Sequence, residues 1–225
     1  NAAKELNIIN KKNFLFIHVS TDEVYGTLNR LEKSFTEDSP YKPNSPYSAT
    51  KASSDHLVRA WHKTFELPII ITHCANNYGP WQHIEKLIPK TIANCISKKI
   101  IPIYGDGSNI REWIHVNDHI ENLTKLSTNY ISGSTYNIGS GYEASNLKIV
   151  KSICKIFNKI DPSFNYLNLI SFTKDRKGHD FRYSINSKKI NALINKKKYI
   201  KVDYGIKITV DWYLKNKNWF KHLKK

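Results

Sequence analysis

Short, nearly unbroken apolar runs alternate along this chain with longer stretches whose apolar positions recur every three or four residues. Phe14-Leu-Phe-Ile-His-Val19 is a run of the first kind, and Pro68-Ile-Ile-Ile71, continued by Thr72, is another. Runs this short without polar alternation predict parallel strands buried on both faces. Between them Tyr47 to Phe65 predicts a helix with Ala52, Leu57, Ala60 and Trp61 inward, opened by Pro46, which suits a first helical position. Strand, helix and strand make one crossover unit. Further on the pattern predicts a helix over Leu87–Ser97, a strand over Ile100–Tyr104 and a turn at Gly105-Asp106-Gly107. A helix over Val116–Leu126, a strand over Thr135–Ile138 and a helix over Leu147–Phe157 follow, then an irregular stretch, Asp161–Lys177. A last helix, Ile208–Lys217, carries Val210, Trp212, Tyr213 and Leu214. The fold class is α/β, with a doubly wound parallel sheet.

Composition narrows this only slightly. A chain of 225 residues with 40% hydrophobic and 12% aromatic content has the material for a packed core. No apolar run approaches the ~20 residues that span a bilayer, so no membrane partner is expected. The first residues lack the basic start and apolar centre of a signal peptide, and without any Met the sequence is expected to be a piece of a longer protein. Cys74, Cys95 and Cys154 have neither disulfide nor zinc spacing, which suits reduced thiols in the cytoplasm. The formal charge of +16 is concentrated late: from Asn186 onward there are twelve lysines against Asp203 and Asp211. Those lysines accompany abundant Asn and Ile, a bias that AT-rich coding produces, and no nucleic-acid-binding motif goes with them. A solvated basic surface is therefore expected, with no nucleic acid as partner.

Chemistry enters at the end of the first strand. Ser20-Thr21-Asp22-Glu23-Val24-Tyr25-Gly26 sets two adjacent carboxylates where ligands collect in open α/β sheets. Crowding of two acids leaves one protonated and the other ionised. Tyr47 and Lys51 share a helix face about 6 Å apart along its axis, where an ammonium favours phenolate and so general-base action at a carbinol. Thr21 offers a hydrogen bond to a substrate hydroxyl, Asn76 an amide for phosphate oxygens, and Arg111 with Arg176 a clamp for a diphosphate. His115, His119 and His179 have no metal-ligand spacing, so no metal is expected. No Gly-x-Gly-x-x-Gly loop occurs in the sequence, so the pyrophosphate-cradling turn of a dinucleotide fold lies elsewhere or does not exist.

From about Phe14 onward the chain resembles the nucleotide-sugar 4,6-dehydratases of the extended short-chain dehydrogenase/reductase superfamily. The resemblance rests on Ser20–Gly26, Ser45-Pro-Tyr-Ser-Ala-Thr-Lys51 continuing to Trp61, Asn76-Asn-Tyr-Gly-Pro80 and Glu85-Lys-Leu-Ile-Pro89. Tyr104-Gly105, Arg111-Glu-Trp113, Tyr136-Asn-Ile-Gly139 and Gly178-His-Asp180 extend it. It implies a partial Rossmann-type domain over 1–75 and 112–137, lacking its first strands and glycine-rich loop. A smaller α/β nucleotide-sugar-binding domain would cover 76–111 and 138–225. It implies NAD as cofactor, dTDP-glucose as substrate and a homodimer, with UDP-glucose as the alternative substrate and a non-catalytic basic remnant as the alternative of another class. Tyr47 would take the C4 hydroxyl proton, Lys51 would tune the phenol and bind the nicotinamide ribose, and Thr21 would orient the C4 oxygen. Glu23 would remove the C5 proton, Asp22 would protonate the departing C6 hydroxyl, and Ser20 and Cys74 would lie against the cofactor. Asn76, Lys86, Leu87, Pro102, Tyr104, Arg111, Asn146, Arg176 and His179 would hold the diphosphate and nucleoside. Lys177 and Phe181 depart from the family's usual proline and arginine, and without the glycine-rich opening this piece alone is expected neither to bind NAD nor to turn over.

Overall fold

The structure is a computed structural model that describes residues 2–9 and 14–218; the last lysines of the basic tail lie outside them. In chain order the elements begin with α1 (Ala2–Ile9), β1 (Phe16–Thr21), α2 (Pro46–Phe65), β2 (Ile69–Cys74) and β3 (Asn76–Tyr78). Next come α3 (Leu87–Ile96), β4 (Ile101–Tyr104), β5 (Ile110–His115), α4 (Val116–Asn129), β6 (Thr135–Ile138) and β7 (Glu143–Ser145). The series closes with α5 (Asn146–Ile160), β8 (Ile170–Thr173), α6 (Lys188–Leu193) and α7 (Val202–Lys215).

β1, β2 and β6 form a parallel sheet in that order, with Thr21 beside Cys74 in register. Ile69, Ile70 and Ile71 are fully buried there, as an unbroken apolar run requires. Two smaller sheets follow, β3-β5-β7 and β4-β8. One core joins Val24, Ile70, Ile114, Tyr136 and Ile138, and Ile185, Ile190 and Ile194 fold back onto it. A second joins Ile88, Ile103, Ile153, Phe157, Val210 and Tyr213, filling the space between α3, α5 and α7. Cys95 and Cys154, remote in sequence, meet there as hydrogen-bonded free thiols.

Several expectations need correction. Leu57 and Ala60 face outward on α2; the buried positions are Ser48, Ala52 and Asp55. Of these, Ala52 packs into the apolar core, Ser48 pairs with Ser45 in the helix cap, and Asp55 meets His18 and His73 of the sheet. The stretch expected to be irregular contains β8, a strand that exists through its pairing with β4. The last helix starts six residues early, at Val202 rather than Ile208, and ends at Lys215. Gly205, on the inner side of α7, meets the Tyr78 hydroxyl, so that a Cβ there has no room. Gly205→Ala is expected to lower stability by about 1–3 kcal/mol, read from urea unfolding.

Candidate active site

The residues flagged at the end of β1 owe their placement to a tight turn. Thr21 ends the strand in extended conformation and its side chain accepts the Glu23 N–H at 3.3 Å, capping a single 3-10 turn over Asp22–Tyr25. Gly26 closes the turn at φ 90°, where its Cα lies against the Lys42 carbonyl and no side chain fits. Asp22 is thereby buried, 2% exposed, with Thr21 Oγ1 donating to its Oδ1 at 3.3 Å. α2 is opened by Ser45, whose hydroxyl accepts the Ser48 N–H at 3.1 Å in a capping box, with Pro46 first in the helix. That cap points Tyr47 and Lys51 back at the strand ends.

Burial, then the neighbouring Glu23 and Glu112, hold the Asp22 carboxyl far above the usual carboxylate range. Glu23 is raised too, again by burial first, but Arg111, Arg176 and Lys86 pull it back. Both acids are thus raised, but in different fields: Asp22 is enclosed beside two other carboxyls, whereas Glu23 faces three cationic side chains that oppose the shift. Tyr47 is more than half exposed, yet its phenol is pushed up, first by what burial it has and then by Glu23, Cys74 and Asp22. Tyr47 and both acids thus share one electrostatic neighbourhood. The expected depression of the phenol by Lys51 is not seen. The Lys51 ammonium donates to the Val19 carbonyl at 2.8 Å, and the field at the phenol is set by the acids. Cys74, at the end of β2, donates to the Ser20 carbonyl at 3.3 Å; burial pushes its thiol up to about 12, with Asp22 adding and Lys51 opposing. Ser20, Lys51 and Cys74 so form one floor beside the acid pair.

Glu23 leads from that floor into a cleft of about 380 Å³. Its walls include Asn76, Lys86 and Leu87 on one side and Pro102, Tyr104 and Asn146 on another. Arg111, Arg176 and His179 complete it, so every residue expected to hold the diphosphate and nucleoside faces one space. Thr21 stays on the floor and does not line it. Lys86, Lys90, Arg111 and Arg176 outnumber Glu23 and Glu85 there, a balance that favours an anion. Arg111 is buried at 4% exposure, donates to the carbonyls of Ile110, Phe181 and Asp180, and lies 4.3 Å over the Tyr183 ring. His179 Nδ1 meets Asp175 Oδ1 at 2.7 Å, while burial lowers its ring below the usual histidine value.

Asn77, Gln82, Trp113 and Tyr183 also line the cleft and were not read from the sequence. Asn77 sat in the Asn-Asn-Tyr-Gly-Pro motif and could have been flagged; Tyr183 had no local signal. Among the described residues no group of His, Cys, Asp and Glu is placed to hold a metal, and no helix is long and apolar enough to cross a membrane.

A parallel α/β sheet with an acid pair at a strand end, a Tyr-x-x-x-Lys helix beside it and a basic cleft beyond is the architecture of the extended short-chain dehydrogenase/reductase class. Within that class, the family model described as GDP-mannose 4,6 dehydratase matches residues 1–209, and the chain belongs to this family. It is 49% identical over 211 residues to dTDP-glucose 4,6-dehydratase of Haemophilus influenzae, covering 92% of this chain and 62% of that protein. The chain thus spans about three-fifths of the length of the curated relatives it matches. The crystal structure of dTDP-glucose 4,6-dehydratase from Bacillus anthracis in complex with NAD aligns with a TM-score of 0.85 at 39% identity, over 98% of this chain and 68% of that one. DesIV, a dTDP-glucose 4,6-dehydratase from Streptomyces venezuelae solved with NAD bound, gives 0.87 at 38%, over 98% and 66%.

Proposed function

We propose that this chain carries the substrate-handling and acid–base machinery of an NAD-dependent dTDP-glucose 4,6-dehydratase, which turns dTDP-glucose into the 4-keto-6-deoxy sugar. One observation carries the reading: Asp22 and Glu23 stand side by side, the first buried and the second facing Arg111, Arg176 and Lys86, within the field felt by Tyr47 and at the head of a basic cleft. Asp22, buried and protonated, is suited to give its proton to the departing C6 hydroxyl. Glu23, drawn toward ionisation by Arg111, Arg176 and Lys86, is suited to take the C5 proton. Tyr47 is placed to receive the C4 hydroxyl proton, and Lys51, held on the Val19 carbonyl, is placed to bind the nicotinamide ribose. Thr21 orients the C4 oxygen. Arg111 and Arg176 face the diphosphate, with Asn76, Lys86 and His179 beside it and Leu87, Pro102, Tyr104 and Asn146 around the nucleoside.

The floor made by Ser20, Lys51 and Cys74, open at the carboxyl ends of β1 and β2, fits the nicotinamide end of NAD. When bound, the nicotinamide accepts hydride from C4 and returns it to C6. The NAD-binding part is assigned to 1–75 and 112–137 and the sugar-nucleotide part to 76–111 and 138–225, with Ile185, Ile190 and Ile194 crossing back to the first core. A cytoplasmic homodimer completes the reading; three free cysteines suit a reducing compartment.

The test is turnover of dTDP-glucose, with UDP-glucose alongside, by the protein carrying this chain in the presence of NAD, together with calorimetry of the chain against dTDP and UDP. A product lighter by one water from dTDP-glucose, and tighter binding of dTDP, support the reading; neither product nor nucleotide binding overturns it. Asp22→Asn and Glu23→Gln are each expected to slow water loss by about 100-fold or more while C4 oxidation persists as accumulating reduced cofactor. Undiminished dehydration in both variants contradicts the roles assigned.

A further inference from the structure

Beneath the floor lies a buried polar cluster that the proposed chemistry does not touch. Asp55, two turns along α2 from Tyr47, is fully buried. Its Oδ1 lies 3.0 Å from His18 Nε2 on β1 and its Oδ2 lies 2.9 Å from His73 Nε2 on β2. The Tyr41 hydroxyl donates to the same Oδ2 at 2.8 Å, while Arg59 Nη2 donates to the Tyr41 oxygen at 3.0 Å. On the other side of the His73 ring, Nδ1 faces the Tyr25 hydroxyl at 2.7 Å. That hydroxyl donates to Asn137 Oδ1 at 2.9 Å, and the Asn137 amide is oriented by its own Nδ2 donating to the Phe35 carbonyl at 3.2 Å.

Counting protons fixes the state of the imidazole. A phenol has one proton to give. Tyr25 gives its proton to Asn137, so toward His73 its oxygen can only accept, and Nδ1 must carry hydrogen. The Tyr41 oxygen also lies 2.9 Å from Nε2, but its one proton goes to Asp55 Oδ2, and an ionised carboxylate 2.9 Å from Nε2 offers only lone pairs, so Nε2 must carry hydrogen as well. Burial pushes the Asp55 carboxyl up, but His18 and His73, both in close contact with it, overcome this and hold the group well below the usual carboxylate range. Every face of the ring is accounted for: Tyr25 and Tyr41 meet it edge-on with centroids 4.9 Å and 5.6 Å away, and Asp55 closes the third side.

We infer that His73 is a doubly protonated positioning residue that ties the two halves of the active site together. Its Nδ1–H holds Tyr25, the last residue of the turn bearing Asp22 and Glu23, and its Nε2–H anchors on Asp55 of α2, the helix bearing Tyr47 and Lys51. The inference rests on the reading that these four residues act at one site; the proton count itself does not. A neutral histidine would leave the buried Asn137 oxygen, one ring nitrogen or, with Tyr41 turned to Nε2, the Asp55 Oδ2 without a donor, a cost that the charged ring paired with Asp55 avoids.

The test uses the whole 225-residue chain labelled with ¹⁵N at histidine. In long-range proton–nitrogen spectra both His73 ring nitrogens are expected to carry protons. One bare ring nitrogen at about pH 7 overturns the assignment, and this measurement needs no variant. For the positioning role, His73→Gln and Asp55→Asn are each expected to move the carboxyl titrations of Asp22 and Glu23 downward by about one pH unit as the loosened turn admits water. Glu143, paired with Arg182 elsewhere, should titrate as before. Titrations of Asp22 and Glu23 that stay in place in either folded variant overturn the positioning role. No ligand enters these measurements, so failure of the dehydratase reading shows separately, in the turnover and calorimetry.

Discussion

Arg111→Ala is expected to cost the fold about 3–5 kcal/mol and to abolish nucleotide binding in the same step. Three backbone carbonyls, those of Ile110, Phe181 and Asp180, take their hydrogen bonds from this one guanidinium at 2.7, 3.2 and 2.9 Å. Truncation removes the charged donor from each, leaving only the N–H groups of Tyr183 and Ile110 and the Asn109 amide, and uncovers the Tyr183 ring on which the guanidinium lies. The neighbouring Asp180 side chain would persist, held by Asn44 at 2.7 Å and by the Tyr183 hydroxyl at 2.5 Å, so the damage centres on the backbone of 180–181. Arg111→Lys keeps the charge but loses the planar fork, and is expected to recover less than half of the stability and little of the affinity for dTDP. Urea unfolding and calorimetry of the two variants measure this. A loss below ~1 kcal/mol in Arg111→Ala would show that the carbonyls find other donors.

Glu112 gives the second large effect, through pH. It is fully buried, and burial raises its carboxyl to about 7 even though the N–H groups of Ile185 and Gly141 donate to it at 2.9 and 2.7 Å. A carboxyl whose folded value lies above its unfolded one binds its proton more tightly in the native state. Its contribution is therefore complete below about pH 4.5 and is lost as pH rises through about 7. The separation corresponds to about 3 kcal/mol, as an order of magnitude. Asp22 and Glu23 are raised as well and act in the same direction. Between about pH 5 and pH 8 the wild-type chain is expected to lose more stability than Glu112→Gln, which cannot titrate; equal losses in urea would remove Glu112 from the account.

These two residues also show where the sequence stops being informative. Ile110-Arg-Glu-Trp-Ile-His115 carries adjacent charges in the middle of β5, and no periodicity predicts such a strand. It is stable because the Arg111 guanidinium and the Glu112 carboxylate find backbone partners supplied by segments some seventy residues away. Strands with continuous apolar runs were legible because burial on both faces leaves no other composition open to them. The inner face of α2 was misread for the converse reason: Ser48, Ala52, Asp55 and Arg59 make a helical stripe, but one satisfied by hydrogen bonds, so Leu57 and Ala60 drew the eye. β8 and the three-residue β3 and β7 depend on their partners for existence. In the site, Asp22, Glu23, Tyr47 and Lys51 were legible because their spacing is local. The His73–Asp55 link joins separate elements and cannot be seen until β1, β2 and α2 are assembled.

The closing helix is sorted by packing. In α7 isoleucine and lysine fall on opposite sides: Ile206 and Val210 are enclosed, whereas Lys207 and Lys215 stand in solvent. On the enclosed side Tyr213 turns its hydroxyl to the Gln82 carbonyl at 2.9 Å and so braces the cleft wall. The inside of the helix admits only what packs, while its outside carries the charge.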